Sequence, residues 1–163
     1  MTRHGFAIAA ALILGACTTV PEPAPLAHPE ARSFDVSRDA MADVDAALER
    51  AAKGGKRVLL VMGANWCHDS RALAGYLETP KFSELVEREY ELVFVNIGMP
   101  QTGDGHNLDI AQRFGLDELP GTPNVLVVTP PGTLLNPETA TTWRNAASRS
   151  EDEIYAELVR LAG

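Results

Sequence analysis

The sequence predicts an α/β domain, a central mixed sheet flanked by helices, and three observations carry that reading. Residues 57–62 and 91–97 are short, nearly continuous apolar runs rich in β-forming residues, the pattern of strands buried on both faces. Segments of helical period lie before and between them, and that alternation implies parallel pairing. A third run, 124–129, is followed by Pro130, Pro131 and Gly132, which turn the chain back for an antiparallel return at 133–135. At 163 residues the chain is long enough for one domain with its own core and too short for two.

The elements follow in order. Met41, Val44, Leu48 and Ala51 recur at helical spacing within 37–53, and Gly54 with Gly55 stops that helix. Residues 57–62 are the first strand, and 63–70 lead into a second helix at 71–77. Thr79 supplies an N-cap and Pro80 a first-turn proline for a third helix to about residue 89. Residues 91–97 are the next strand, 98–106 a polar glycine-rich loop, and 107–114 a short helix with Gly115 as its C-terminal cap. After the strands at 124–129 and 133–135, the stretch around Trp143 is expected to add an edge strand. Ser150 and Glu153 form a capping box, and Ile154, Leu158 and Leu161 give the last helix its apolar face.

The segment ahead of the domain reads as an address. Arg3 gives a positive start, residues 6–14 are apolar, and Gly15 and Ala16 are small, the layout of a secretory signal over 1–16 that is too short to span a membrane. The run ends Leu14-Gly15-Ala16-Cys17, which resembles the lipobox of bacterial lipoproteins. That resemblance implies lipid attachment at Cys17 and a cell-envelope location. Thr18 after the cysteine, in place of Asp, implies for a Gram-negative host the outer membrane facing the periplasm. Residues 17–33, with Pro21, Pro23, Pro25 and Pro29, are expected as the lipidated Cys and an extended tether, leaving 34–163 for the domain. The net charge of -8 and the pI near 4.9 exclude nucleic acid as a partner, because phosphate contacts need clustered Lys and Arg. Contact with a membrane is expected through the N-terminal lipid only.

Chemistry concentrates where the first strand runs into Trp66-Cys67-His68-Asp69-Ser70 at a helix start. Together with Gly121-Thr122-Pro123 before the strand at 124–129, this arrangement resembles the thioredoxin superfamily, whose members carry W-C-x-x-C between the second strand and second helix and a cis-proline facing it. The resemblance spans roughly 37–161 and implies a thioredoxin-like fold. It implies catalytic roles for Cys67 and Ser70, and substrate-binding roles for Trp66, His68, Thr122 and Pro123.

Ser70 stands where the family has its second cysteine, so a mixed disulfide on Cys67 has no resolving sulfur within the mature chain. A helix N-terminus favours a thiolate at Cys67, with the Ser70 hydroxyl one turn later as a hydrogen-bond donor to it. Trp66 either shields the thiol and contacts substrate or is core packing. His68, Asp69, Asp104, His106 and Asp109 have no spacing that matches a metal cage and are expected as solvated loop residues, with no metal and no cofactor. The implied function is monothiol thiol–disulfide exchange, isomerase- or reductase-type, on extracytoplasmic proteins with cysteines or on small thiols. The alternative is a redox-inactive binding or chaperone-like lipoprotein on the same fold.

Overall fold

One strand organises the molecule, and its sequence explains why. Every residue from Val58 to Met62 is apolar and fully buried, so this strand has no face for solvent. The computed structural model describes residues 28–163, and the expected signal segment, Cys17 and the tether up to residue 27 lie outside the described residues. In chain order the elements are α1 (Ala40–Gly54), β1 (Arg57–Gly63), α2 (His68–Leu77), α3 (Pro80–Glu89), β2 (Tyr90–Asn96), β3 (Gly98–Met99), β4 (Asp104–Gly105), α4 (Leu108–Arg113), β5 (Asn124–Val128) and α5 (Glu151–Ala162).

The main sheet has the order β2-β1-β5. β1 pairs in parallel with β2, Leu59 opposite Leu92, and antiparallel with β5, Leu60 opposite Leu126. The strand period of two sends Leu59 and Val61 to a layer formed by α2, α3 and α5, through Leu73, Phe82, Leu85, Ile154 and Leu158. It sends Val58, Leu60 and Met62 to the other layer, against Val44, Ala47 and Ala51 of α1 and Ile110 of α4. This is the expected mixed sheet with helices on both faces. No helix among the described residues is long and apolar enough to cross a membrane.

Local chemistry sets the helix ends. Asp39 caps α1 by accepting from the Ala42 N–H, and Gly55, at φ 67°, closes it with its N–H on the Ala51 carbonyl. Ser150 and Glu153 form the expected reciprocal capping box on α5. Thr79 does occupy the N-cap of α3, but its hydroxyl donates to the Tyr76 carbonyl at 2.8 Å and caps nothing.

Four expectations are corrected. The return strand at 133–135 is reduced to a single bridge, Val128 with Leu134. No edge strand forms around Trp143, because the outer edge of β5 is already satisfied. The Asn136 side chain accepts from the Val127 N–H at 2.9 Å and donates to the Val125 carbonyl at 2.9 Å, and the Val125 N–H reaches Ala140 O. Trp143 instead turns inward, fully buried, with the Arg149 guanidinium 4.5 Å above its ring. The loop 98–106 contains a small hairpin, β3 with β4. Finally, packing begins before residue 34. The Ala31 N–H donates to the Arg71 carbonyl at 3.0 Å, and a Cβ at Gly75 would stand 2.4 Å from the Pro29 carbonyl carbon, so residues 29–31 lie directly on α2.

Candidate functional site

The site forms where β1 ends and α2 begins. The turn between them is held from outside by the chain ahead of α1. The Asn65 side chain exchanges two hydrogen bonds with the Phe34 backbone, at 2.9 and 3.2 Å. The Arg71 guanidinium donates to the carbonyls of Asn65 and Trp66, at 3.2 and 3.1 Å, and Arg32 adds a bond to Asn65 O. These groups fix the backbone that presents the next residue, Cys67.

Cys67 is the N-cap of α2, in extended conformation, with its carbonyl accepting from the Arg71 N–H. α2 starts at His68, three residues earlier than its apolar pattern suggests, so Cys67 sits directly on the helix end. The first N–H groups of a helix lack intrahelical acceptors and carry the positive end of its dipole, which favours an anion there. The Cys67 thiol donates to the Thr122 carbonyl at 3.5 Å, and the Thr122–Pro123 peptide is cis. The two motifs, 55 residues apart, therefore meet at one sulfur. Asn124 braces this turn with a bond to Gly121 O at 2.7 Å, while the Thr122 hydroxyl is buried with no partner among the described residues. Cys67 is buried, 9% exposed as a whole residue, so a substrate disulfide has to dock closely to reach it.

The other expected residues fall on different sides of this centre. Trp66 is 49% exposed and its indole N–H donates to Gly98 O at 3.0 Å, so it forms a surface wall joined to the 98–105 hairpin and is not core packing. The base of that hairpin is tied to β2 by His106 on the Asn96 side chain at 2.6 Å and by Asn107 on the Asn96 carbonyl at 2.8 Å. Ser70 departs from expectation. It is fully buried, and its hydroxyl accepts from the Ala64 N–H at 3.3 Å; it makes no hydrogen bond to the Cys67 sulfur among the described residues. The side chain at this helix position points under the β1–α2 turn.

His68 makes no hydrogen bond to the sulfur among the described residues and engages the chain ahead of α1 instead. Its Nδ1 lies 3.0 Å from Glu30, whose other oxygen takes the Arg71 Nε–H at 2.9 Å, and its Nε2 faces His28 Nε2 at 3.1 Å. The hydrogen bond from Arg71, with the Arg71 charge, holds the Glu30 carboxyl below its ordinary value. Asp69 accepts from the Ala147 N–H at 2.8 Å and so docks α2 on the short 3₁₀ turn Ala146–Ser148. Asp104 takes the Thr102 hydroxyl and His106 takes Asn96, so the polar residues of the sequence motif and loop do not converge. His28 and Glu30 were not legible as site residues. They lie some 40 positions from His68 in a proline-rich stretch whose composition signals only a tether.

Comparison with known proteins agrees with this geometry. Residues 39–130 match a family model described as thioredoxin-like. Among solved structures, the disulphide isomerase from Xylella fastidiosa Temecula1 is 31% identical, with a TM-score of 0.71 over 85% of this chain and 99% of that one. No curated protein matches. A buried mixed sheet, a cysteine capping the helix that follows β1, a cis-proline facing it and a family match over more than half of the sequence lead to one assignment: this chain belongs to the thioredoxin-like family.

Proposed function

We propose that the protein carries out thiol–disulfide exchange through Cys67 as its only working sulfur. The observation that carries this is the Cys67 thiol on the end of α2, 3.5 Å from the Thr122 carbonyl of the cis turn. The similar solved structure is that of a disulphide isomerase, which supports the same class of chemistry.

In this mechanism Cys67 loses its proton to solvent, and its sulfur attacks one sulfur of a substrate disulfide. The substrate S–S bond breaks, its electron pair leaves on the second substrate sulfur as a thiolate, and Cys67 is left in a mixed disulfide. Ser70 cannot resolve that intermediate. A substrate thiolate attacks the substrate sulfur of the mixed disulfide and releases Cys67 unchanged. The net result is a rearranged disulfide with no electrons consumed, so isomerisation suits one thiol better than oxidation does. Reduction by the same site needs a small thiol as the second attacker. Trp66 and the Thr122–Pro123 turn form the walls against which an extended substrate docks.

The partners in this proposal are extracytoplasmic proteins with cysteines, or small thiols. The protein would meet them in the cell envelope, held by lipid on Cys17 at the outer membrane; the support is the leader sequence ending at Cys17.

Trapping tests the proposal. Cells producing the full chain are quenched with a thiol-blocking reagent and resolved on non-reducing gels. Adducts that vanish with reductant and in Cys67→Ala are the expected result. Absence of any Cys67-dependent adduct overturns it. Partner capture unchanged in Cys67→Ala overturns it too, in favour of a non-covalent binding module.

A further inference from the structure

We propose that His28 and His68 form a binding site for a divalent transition-metal ion of the zinc class, beside but separate from the thiol. The two Nε2 atoms face each other at 3.1 Å. The opposite nitrogen of each ring is already committed to an acceptor. His28 Nδ1 lies 3.2 Å from the Pro29 carbonyl, and His68 Nδ1 lies 3.0 Å from a Glu30 carboxylate oxygen. A neutral imidazole has one N–H and one lone pair. A carbonyl and a carboxylate accept and cannot donate, so in the neutral form of each ring Nδ1 carries the hydrogen and Nε2 keeps a lone pair free for a metal ion. A divalent ion that displaces any proton shared between the two Nε2 atoms would take both lone pairs as ligands.

The dimensions suit such an ion. Zinc–nitrogen bonds of about 2.0–2.1 Å in tetrahedral geometry set two ligand nitrogens about 3.3 Å apart, so the pair needs to open by only a few tenths of an ångström. Imidazole donors select zinc-class ions over calcium or magnesium, which take oxygen ligands. Glu30 is an orienting partner and not a ligand in this arrangement, because one of its oxygens holds His68 Nδ1 and the other holds Arg71. A carboxylate behind a metal-bound histidine fixes the tautomer and raises the basicity of the ring. Its negative charge also offsets the positive end of α2 and the Arg71 guanidinium, both of which oppose a cation here. His68 has a 58% exposed side chain, so the remaining coordination positions open to water.

His28 does not reach this place through a loose chain. Residues 29–31 are pressed on α2 at Gly75 and bonded at Ala31, which holds the first histidine opposite the second. Among the described residues, His28, Glu30 and His68 form a group whose ligand-type atoms all lie within 4.8 Å of one another. An ion on the two rings would clamp residues 28–32 to the residue that follows Cys67. Metal occupancy would then control how firmly the segment covers this end of α2.

The test is a calorimetric titration of the untagged full chain with zinc chloride. The expected result is one saturable ion per chain. Its affinity falls at least tenfold in His28→Gln and in His68→Gln, falls about tenfold in Glu30→Ala, the usual cost of losing a carboxylate behind a ligand histidine, and changes less than threefold in Cys67→Ser. Both histidines lie at the surface, and unchanged circular dichroism of the variants confirms folding. No saturable binding, binding that survives the His28→Gln, His68→Gln double substitution, or binding abolished by Cys67→Ser overturns the proposal. The first of these outcomes means that the rings share a proton, and the last that the thiol is the ligand.

Discussion

Ser70→Ala separates two roles that one hydroxyl could have. In the structure the hydroxyl accepts from the Ala64 N–H at 3.3 Å, and both residues are buried, Ala64 at 1% exposure. Removing the oxygen leaves that N–H without a partner, which costs about 1–3 kcal/mol for a buried polar group. Alanine returns about 0.5 kcal/mol through its higher helix propensity. The net loss is about 1.5 kcal/mol, equivalent to a fall of roughly 5 °C in Tm for a domain of this size. Urea unfolding followed by circular dichroism should show the midpoint moving down with an unchanged slope. The rate of iodoacetamide reaction at Cys67 should change by less than twofold, because the hydroxyl is not on the sulfur. Unaltered stability together with a tenfold slower alkylation would refute the reasoning and return Ser70 to the role the sequence suggests, a donor to the thiolate.

Ser70→Cys places a second sulfur at the third helical position after the N-cap, where i and i+3 Cβ atoms are about 5–6 Å apart, close enough for a disulfide after a small adjustment. This variant should reduce insulin with dithiothreitol far faster than the parent chain; equal rates would show that the site lacks dithiol geometry. Phe34→Ala should destabilise by about 3–5 kcal/mol in urea titration, since Phe34 is fully buried and packs edge-on against Phe94. A loss below 1 kcal/mol would refute its place in the core. Tyr90 is buried and donates its hydroxyl to Leu158 O at 2.6 Å, and burial raises its pKa above the ordinary phenol value. Its contribution is fully present below about pH 10, the unfolded value, and is lost above it at up to about 1.4 kcal/mol per pH unit. Tyr90→Phe should flatten stability measured from pH 10 to 11, and an unchanged slope would clear Tyr90 of that role.

Much of the architecture was local enough to read from the chain. The run at 58–62 has nothing polar to expose, so it had to be a strand covered on both sides, and α1 with its apolar spacing and paired glycines had to cover one of them. The capping box at Ser150 needs only residues three apart. The motif at 66–70 and the proline at 123 were each visible as short strings, and their order on matching elements implied that they face each other. Their meeting, at 3.5 Å, came only with the fold.

What the sequence could not supply depended on partners distant in the chain. A hydroxyl at position 70 reads the same whether it faces a sulfur or a backbone N–H; the closeness of Ala64 in the β1–α2 turn decides it. Trp143, among threonines and arginines, has no periodicity to reveal that it is core, and Asn136 reads as an ordinary turn residue although its amide takes the place of a neighbouring strand. Proline spacing around residues 21–29 describes stiffness and says nothing of the close approach of residues 29–30 to Gly75. Sequence by itself determined the periodic elements, because burial on one or two faces is written in the spacing of apolar residues. Tertiary structure alone decided where the isolated polar groups point, because a hydrogen bond or an imidazole pair is fixed by distance in space, and separation along the chain carries no such information.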